Sequence, residues 1–293
     1  SEGKYYEKLN YAVGELYEPG STFKLMALIR ALEDKVVDTS DLIDTKNGSI
    51  TFHRKKVTDS KIGGYGKISV AKAFEVSSNT AFAQIINENY KDNPEIFIDG
   101  LFKMKINQKL DLPFIGVGIP KFIHPSDKKN WNSLVLPWMA FGYGISLTAL
   151  QSLTFYNAIA NNGVMVKPRF IKSVKNFDRE IEKFETEIIS DSICSIETIS
   201  IVKELMKNVI KKKHGTAHNI YTEDFSMAGK TGTSKTEYWK SDDLYISSFA
   251  GFFPVENPMY SCIVVIYKPN KSRGYYGNIV ADTAEFSGNV TIG

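Results

Sequence analysis

The chain has 293 residues, of which 43% are hydrophobic and 12% aromatic; this supplies a packed core and excludes a disordered chain. Its formal net charge of +3 is too small to favour a nucleic-acid-binding protein. It contains no apolar run of about 18 residues, so no membrane-spanning helix is predicted. Two cysteines, Cys194 and Cys262, cannot form a disulfide framework, and we expect free thiols, Cys262 in a buried strand.

The first half of the chain is predicted to be mostly helical. A first helix is expected to begin after Pro19-Gly20 and to run to about Asp34. Four prolines make residues 111–139 an irregular covering segment. Ser146 as N-cap and Asn162-Gly163 as the stop predict a further helix over 146–163. The other predicted helices of this half cover 69–74, 80–90 and 94–104.

The second half changes from helices to strands. A helix is predicted over 196–215, closed by Gly215, with the basic run 207–213 at its C-terminal end, where the helix dipole favours cations. Three strand candidates follow, and a turn-like loop between the last two predicts a hairpin. Helices followed by antiparallel strands indicate helices packed on a sheet, an α+β fold. The strand candidates are residues 226–235, 245–254 and 260–269.

The first polar motif is Ser21-x-x-Lys24, inside an otherwise apolar helix. Residues three apart on a helix share a face. A serine hydroxyl needs a base to become a nucleophile, and burial in an apolar shell makes a lysine such a base by disfavouring its charged form. The alternative is that Ser21 only caps the helix and Lys24 extends outward to solvent.

The second motif, Ser77-Ser78-Asn79, lies between two predicted helices. Its simplest interpretation is a helix cap. Its functional interpretation is a polar loop that relays a proton and binds a substrate amide.

The third motif is Gly229-Lys230-Thr231-Gly232-Thr233. A phosphate loop is excluded because position 224 holds Asp instead of Gly and strands, not a helix, follow. What remains is a strand whose glycines allow another backbone to approach closely, with a lysine and two threonines for a carboxylate. The alternative is an ordinary edge strand.

Other kinds of site find little support in the sequence. His214 and His218 are four residues apart, but Gly215 lies between them and no third metal ligand is near. The chain has neither a G-x-S-x-G nor an H-E-x-x-H motif. We therefore expect no metal site.

Serine-x-x-lysine, serine-x-asparagine and lysine-threonine-glycine, in this order, are typical of penicillin-binding proteins and β-lactamases. The chain resembles the transpeptidase domain of monofunctional (class B) penicillin-binding proteins from about Tyr11 to Phe286. The long interval between the second and third motifs suits these proteins better than a compact β-lactamase. The FGYG and FAGFFP segments are more similar to the septal, cell-division branch. The segments that carry the resemblance are EPGSTFK (18–24), FGYGISLTALQ (141–151), NAIANNG (157–163), AGKTGTS (228–234), FAGFFP (249–254) and YYGNIVA (275–281). One departure, ADTAEFSG (281–288), concerns the register of the last helix.

The resemblance implies a serine acyltransferase fold, an antiparallel sheet flanked by helices with a mostly helical subdomain. It also implies a peptidoglycan D,D-transpeptidase that β-lactams acylate and that needs no metal or cofactor, with a role for each motif. Ser21 would be the nucleophile, Lys24 its base, and Ser77 with Lys230 the proton relay to the leaving group. The substrate would be bound by Asn79, Thr231, Gly232 and Thr233, and the oxyanion by the backbone N–H groups of Ser21 and Thr233.

The resemblance further implies one transpeptidase domain over residues 1–293, cut from a longer protein. We expect an N-terminal membrane anchor and a pedestal domain outside this stretch, and a catalytic domain on the periplasmic side of the inner membrane. The expected partners are peptidoglycan stem peptides ending in D-Ala-D-Ala, β-lactams and membrane proteins of the division machinery, without nucleic acid. Two alternatives stay open: a β-lactamase or D,D-carboxypeptidase that hydrolyses the acyl-enzyme, and a non-enzymatic β-lactam sensor.

Overall fold

A three-stranded antiparallel sheet forms the centre of the molecule in a computed structural model, which describes residues 9–236 and 244–269. The strand order is β11 (Ala228–Thr236), β12 (Leu244–Phe253) and β13 (Tyr260–Tyr267). All three strand predictions and the β12–β13 hairpin are confirmed. The predicted last helix lies outside the described residues.

Two long helices pack on this sheet. Helix α7 (Ala149–Ala160) is apolar on nearly all sides and is buried against β12 and β13. Helix α8 (Ile196–Lys211) places one apolar stripe on β11 and leaves Lys211 at its end exposed. The sheet flanked by helices is the predicted α+β architecture.

A mostly helical region completes the fold, with helices α2, α4, α5 and α6 packed on one another. Helix α2 also contacts α8, which joins this region to the helices on the sheet. The helices of the first half are α1 (Tyr11–Gly14), a 3₁₀ turn (Gly20–Phe23), α2 (Lys24–Glu33), α3 (Val70–Glu75), α4 (Asn79–Tyr90), α5 (Pro94–Lys103) and α6 (Val135–Met139). A second 3₁₀ turn, His218–Ile220, follows α8.

Short two-stranded pairs surround this framework, and the prediction of a mostly helical first half missed six strands there. These strands are too short for a period-two pattern to be recognised in the sequence. The pairs are β1 (Leu42–Asp44) with β4 (Lys67–Ser69), β2 (Ser49–Phe52) with β3 (Lys55–Thr58), β5 (Lys121–Phe122) with β6 (Ile145–Ser146), β7 (Met165–Val166) with β10 (Ile188–Ser190), and β8 (Ser173–Asn176) with β9 (Arg179–Lys183).

Two predicted helix ends are wrong. Ser146 lies in β6, and α7 instead begins after Thr148, whose hydroxyl accepts the Gln151 N–H while the Gln151 side chain accepts the Thr148 N–H. This reciprocal capping box satisfies two free donors at once, which a single serine cap does not. Helix α8 ends at Lys211, before Gly215.

The two cysteines are free, as predicted. Cys262, expected to be buried, is partly exposed because β13 is an outer strand of the described sheet. None of the helices in the described parts of the chain is long and apolar enough to cross a membrane.

Candidate active site

A cleft of about 340 Å³ opens where the first 3₁₀ turn (Gly20–Phe23), the start of α4 and the edge strand β11 meet. Six of the predicted site residues line it, and the two predicted lysines, Lys24 and Lys230, are fully buried beside it. The predicted residues on its wall are Ser21, Ser77, Asn79, Thr231, Gly232 and Thr233; the others are Thr58, Asp59, Ser60, Tyr143 and Tyr245.

Ser21 lies in the 3₁₀ turn that precedes α2 and is partly exposed. No side chain caps the start of either element, so the alternative that Ser21 is a helix cap is wrong. Helix α7 fixes this turn, because the hydroxyl of buried Tyr156 donates a hydrogen bond of 2.9 Å to the Thr22 carbonyl. The first motif therefore presents its hydroxyl to the cleft instead of using it locally.

Lys24 is 0% exposed, so the alternative that it extends to solvent is also wrong. Its Nζ donates to three acceptors, and all belong to the second motif: Ser77 O at 2.6 Å, Ser77 Oγ at 3.1 Å and Asn79 Oδ1 at 2.7 Å. The Phe82 ring covers it, with its centroid 5.6 Å from Nζ. Burial lowers the pKa of Lys24 well below its usual value, the charge of Lys230 lowers it further, and Asp59 partly opposes both.

The neighbouring residues of the second motif make different contacts. Ser78 is the N-cap of α4, and its Oγ accepts the Ala81 N–H at 3.1 Å. Ser77 has a φ of +58°, a left-handed backbone conformation that few non-glycine residues adopt. It lies between Lys24 and Lys230, and Asn79 beside it faces Lys24. The helix-cap interpretation is thus confirmed for Ser78, while Ser77 and Asn79 lie at the two buried lysines.

Lys230 of β11 is the second fully buried lysine of the site. Its Nζ donates to Ser77 Oγ at 2.9 Å and to the Thr231 carbonyl at 3.1 Å, and it lies over the Phe74 ring. Burial lowers its pKa to about 7. The Ser77 hydroxyl therefore contacts two lysines, both of which lose affinity for their protons.

Glycines bring β11 against the turn that carries Ser21. A Cβ on Gly232 would lie 2.9 Å from the Thr22 methyl and 3.0 Å from the Pro19 carbonyl. Gly20, at a φ of +54°, would place a Cβ 2.6 Å from the Thr233 carbonyl. These contacts bear out the predicted close approach and bring the backbones of Ser21 and Thr233 to the same part of the cleft.

Several site residues were missed by sequence reasoning. Asp59 follows β3 and binds the start of α4. Tyr143 accepts the Lys235 N–H at 3.0 Å, and Thr216 forms a hydrogen bond of 2.7 Å with the Thr231 hydroxyl. Of these residues, only Tyr143 could have been found from the sequence, because it lies in the FGYG segment that carries part of the family resemblance.

No metal centre is found among the described residues: no three His, Cys, Asp or Glu side chains are grouped to hold an ion. The two histidines considered in the sequence have separate partners. His214 pairs with Glu75 at 2.6 Å, and a ring nitrogen of His218 lies 3.0 Å from the Ile210 carbonyl.

Curated relatives match the chain along most of its length. The peptidoglycan D,D-transpeptidase FtsI of Buchnera aphidicola subsp. Baizongia pistaciae is 29% identical over 279 residues, covering 93% of this chain and 45% of that protein. The penicillin-binding protein PbpB of Mycobacterium tuberculosis is 28% identical over 280 residues, covering 90% of this chain and 39% of that protein. Stage V sporulation protein D of Bacillus subtilis is 26% identical, covering 93% and 41%. The chain thus spans less than half the length of these relatives.

Solved structures share the fold. The transpeptidase domain of Burkholderia pseudomallei penicillin-binding protein 3 has a TM-score of 0.77 at 23% identity, covering 96% of this chain and 84% of that one. The D,D-transpeptidase domain of a peptidoglycan glycosyltransferase from Eggerthella lenta has a TM-score of 0.80 at 24% identity, covering 96% and 68%. The family model of the penicillin-binding protein transpeptidase domain matches residues 1–285. With three motifs assembled at one cleft, the chain belongs to the penicillin-binding protein transpeptidase domain family.

Proposed function

We propose that this chain is the catalytic domain of a peptidoglycan D,D-transpeptidase that forms a serine acyl-enzyme with a stem peptide. The observation that carries the proposal is the pair of buried lysines that share the Ser77 hydroxyl beside Ser21. Family membership and the name of the Buchnera relative support it.

In the first step, Ser21 Oγ attacks the carbonyl of the penultimate D-alanine and its proton passes to Lys24. A neutral Lys24 keeps two N–H groups, which suffice for Ser77 O and Asn79 Oδ1, the two acceptors within 2.7 Å. Its lone pair is then free for a hydroxyl proton. The lowered pKa of Lys24 favours this neutral form.

The oxyanion of the tetrahedral intermediate is bound by the backbone N–H groups of Ser21 and Thr233, in the manner of other acyl-transfer sites. The C–N bond to the terminal D-alanine then breaks. The proton on Lys24 reaches the leaving amine through the Ser77 hydroxyl, 3.1 Å away, with Lys230 at 2.9 Å on its other side. Ser21 is left as an ester, and Lys24 is neutral again.

The walls of the cleft bind the acyl donor. Lys230, Thr231 and Thr233 take the terminal carboxylate, and Gly232 leaves room for the peptide to lie along β11. Asn79 has its oxygen on Lys24 and one amide hydrogen on the Thr58 carbonyl at 2.9 Å. Its second amide hydrogen remains for a carbonyl of the substrate.

An amine from a neighbouring stem peptide then attacks the ester, releases Ser21 and forms the cross-link. β-Lactams imitate the D-Ala-D-Ala end and leave Ser21 acylated. No cofactor takes part in these steps.

The hydrolytic alternatives, β-lactamase and D,D-carboxypeptidase, need a group that activates water. Asp59 is the one carboxylate among the described residues that line the cleft. Both its oxygens already accept hydrogen bonds from Ser78 and Thr80, so it is poorly suited to that role. This favours transfer to an amine over hydrolysis.

The setting of the intact protein follows from its substrate. Peptidoglycan lies outside the inner membrane, so we propose that the domain acts on the periplasmic side, held by an anchor and pedestal domain. The FGYG and FAGFFP segments favour a septal role, with membrane proteins of the division machinery as partners.

The test is acylation with a fluorescent penicillin. Wild type should be labelled, Ser21→Ala should not be, and Ser60→Ala, the matched change of another cleft serine, should be labelled normally. A label on Ser21→Ala would contradict the proposed nucleophile, and an unlabelled wild type would contradict the acyl-enzyme.

A chase with unlabelled drug then measures deacylation. A label that persists for hours supports a transpeptidase, whereas loss within seconds favours a hydrolase. Incubation with a stem peptide and an amine acceptor separates the enzyme from the sensor, because a sensor would release no D-alanine.

A further inference from the structure

The carboxylate of Asp59, the residue directly after β3, binds the first turn of α4. Its two carboxylate oxygens each lie 3.1 Å from Ser78 Oγ. They also accept the Thr80 N–H at 3.0 Å and the Thr80 hydroxyl at 2.8 Å. The carboxylate thus holds both neighbours of Asn79, at the helix end where the dipole favours a negative charge.

The residue before Asp59 acts on the same turn. The Thr58 carbonyl accepts the Asn79 side-chain N–H at 2.9 Å, which turns the amide oxygen of Asn79 towards Lys24. The Asp59 N–H is in turn held by the Gly48 carbonyl at 2.9 Å. A fixed loop therefore sets the orientation of the residues that supply all three acceptors of Lys24.

We propose that Asp59 is a positioning residue of the acylation reaction: by binding Ser78 and Thr80 it holds Ser77 and Asn79 against Lys24. This inference rests on the proposed function. It requires no contact between Asp59 and the substrate.

A charge effect accompanies the geometric one. The charged groups that act on Lys24 are Lys230 of β11, which lowers its pKa, and Asp59, which raises it. The other groups around its Nζ, from Ser77 and Asn79, are neutral. Loss of the Asp59 charge should therefore lower the pKa of Lys24 further.

The chain contains a matched control for this arrangement. Glu33 binds the start of α8 in the same way, accepting the Ser195 hydroxyl at 2.6 Å, the Ser195 N–H at 3.2 Å and the Thr198 hydroxyl at 2.5 Å. Ser195 is the N-cap of α8, as Ser78 is of α4. None of these three residues lines the cleft. Glu33→Ala removes a helix-start carboxylate without touching the proposed catalytic groups.

The experiment compares Asp59→Ala with Glu33→Ala by thermal melting and by the second-order rate of acylation with the fluorescent penicillin. Both variants should melt at a lower temperature than wild type. Only Asp59→Ala should acylate more slowly, by about 10²-fold, the effect expected when reacting groups are misplaced by about 1 Å. Equal acylation rates in the two variants would overturn the proposal.

Asp59→Asn keeps the size of the side chain and one acceptor oxygen but removes the charge, and it tests the proposal even if Asp59→Ala does not fold. In the pH profile of acylation by this variant, the acidic limb (the fall in rate as Lys24 becomes protonated) should move to lower pH, because the pKa of Lys24 falls. An unshifted limb with a wild-type rate would overturn the proposal. A Ser21→Ala protein that takes the label would overturn the proposed function instead, so the two failures are distinguishable.

Discussion

Two lysines meet at the same hydroxyl in this protein, one from a helix and one from a strand. Lys24 and Lys230 are both 0% exposed, each lies over a phenylalanine ring, and they approach Ser77 Oγ to 3.1 and 2.9 Å. Their surroundings differ in the number of acceptors. Three acceptors, all in the second motif, surround Lys24 Nζ, whereas Lys230 Nζ has two, Ser77 Oγ and the carbonyl of the neighbouring Thr231.

We infer from this difference that the two lysines have separate roles. Lys24 is held in one orientation, and its pKa is depressed by burial and by Lys230, which suits a general base. Lys230 lies in the strand whose threonines line the cleft, where a carboxylate is proposed to bind. We therefore propose that identical side chains serve as base and as anion-binding group because of the elements that carry them.

Removal of the proposed base, Lys24, should have the largest effect on the rate of acylation. We expect Lys24→Ala to acylate about 10²–10⁴-fold more slowly than wild type, the usual contribution of a general base. Stopped-flow acylation with the fluorescent penicillin measures this. Lys24→Arg is the informative control, since it keeps a positive charge that cannot be lost near neutral pH, and it should also be slow. A rapid Lys24→Arg variant would show that the charge, not the base, matters.

A smaller loss of rate and a change in pH dependence are expected for Lys230→Met. The substitution removes a like charge, so the pKa of Lys24 should rise and the acidic limb of the acylation profile should move to higher pH. This shift is opposite in direction to that expected for Asp59→Asn. The loss of rate should be about 10²-fold, that of one electrostatic group at a reacting centre. An unshifted limb would mean that the two lysines do not interact.

The same variant should be more stable than wild type. Lys230 has a pKa of about 7 in the folded protein against an ordinary 10.5, so the folded state binds fewer protons between these values. Wild-type stability should therefore fall as the pH drops from 10.5 to 7, and the full penalty should persist below 7. Lys230→Met avoids it, and its gain in melting temperature should be larger at pH 6 than at pH 10. No gain at pH 6 would contradict a buried charge.

The burial of Lys24 could be predicted from the sequence because a helix that is apolar on every side leaves no solvent for its one lysine. The three motifs likewise contain both lysines that donate to the Ser77 hydroxyl. Asp59 could not be predicted, since its role depends on a short strand pair that folds back onto α4, and no local pattern marks that contact. The capping box at Thr148 is local, yet Ser146 two residues earlier was an equally acceptable cap by composition.

The smallest effect on the acylation rate is expected for a substitution of Thr216, whose partner Thr231 directly follows Lys230 in β11. Its hydroxyl is 2.7 Å from that of Thr231, and its backbone N–H donates to the Glu75 carbonyl at 3.3 Å. The Glu75 carboxylate, 1% exposed, binds Lys212 at 2.7 Å, which fixes the end of α8 near the second motif.

Thr216→Val keeps the shape of the side chain and removes one hydrogen bond, worth about 1 kcal/mol, so acylation should slow about 2- to 10-fold. Thr216→Ser should restore the rate. Because threonine carries no charge, the acidic limb should stay at the wild-type pH in both variants, in contrast to Lys230→Met. A shifted acidic limb in Thr216→Val would mean that the Thr231 hydroxyl, and not only the charge of Lys230, controls the pKa of Lys24. That result would contradict the separate roles proposed for the two lysines.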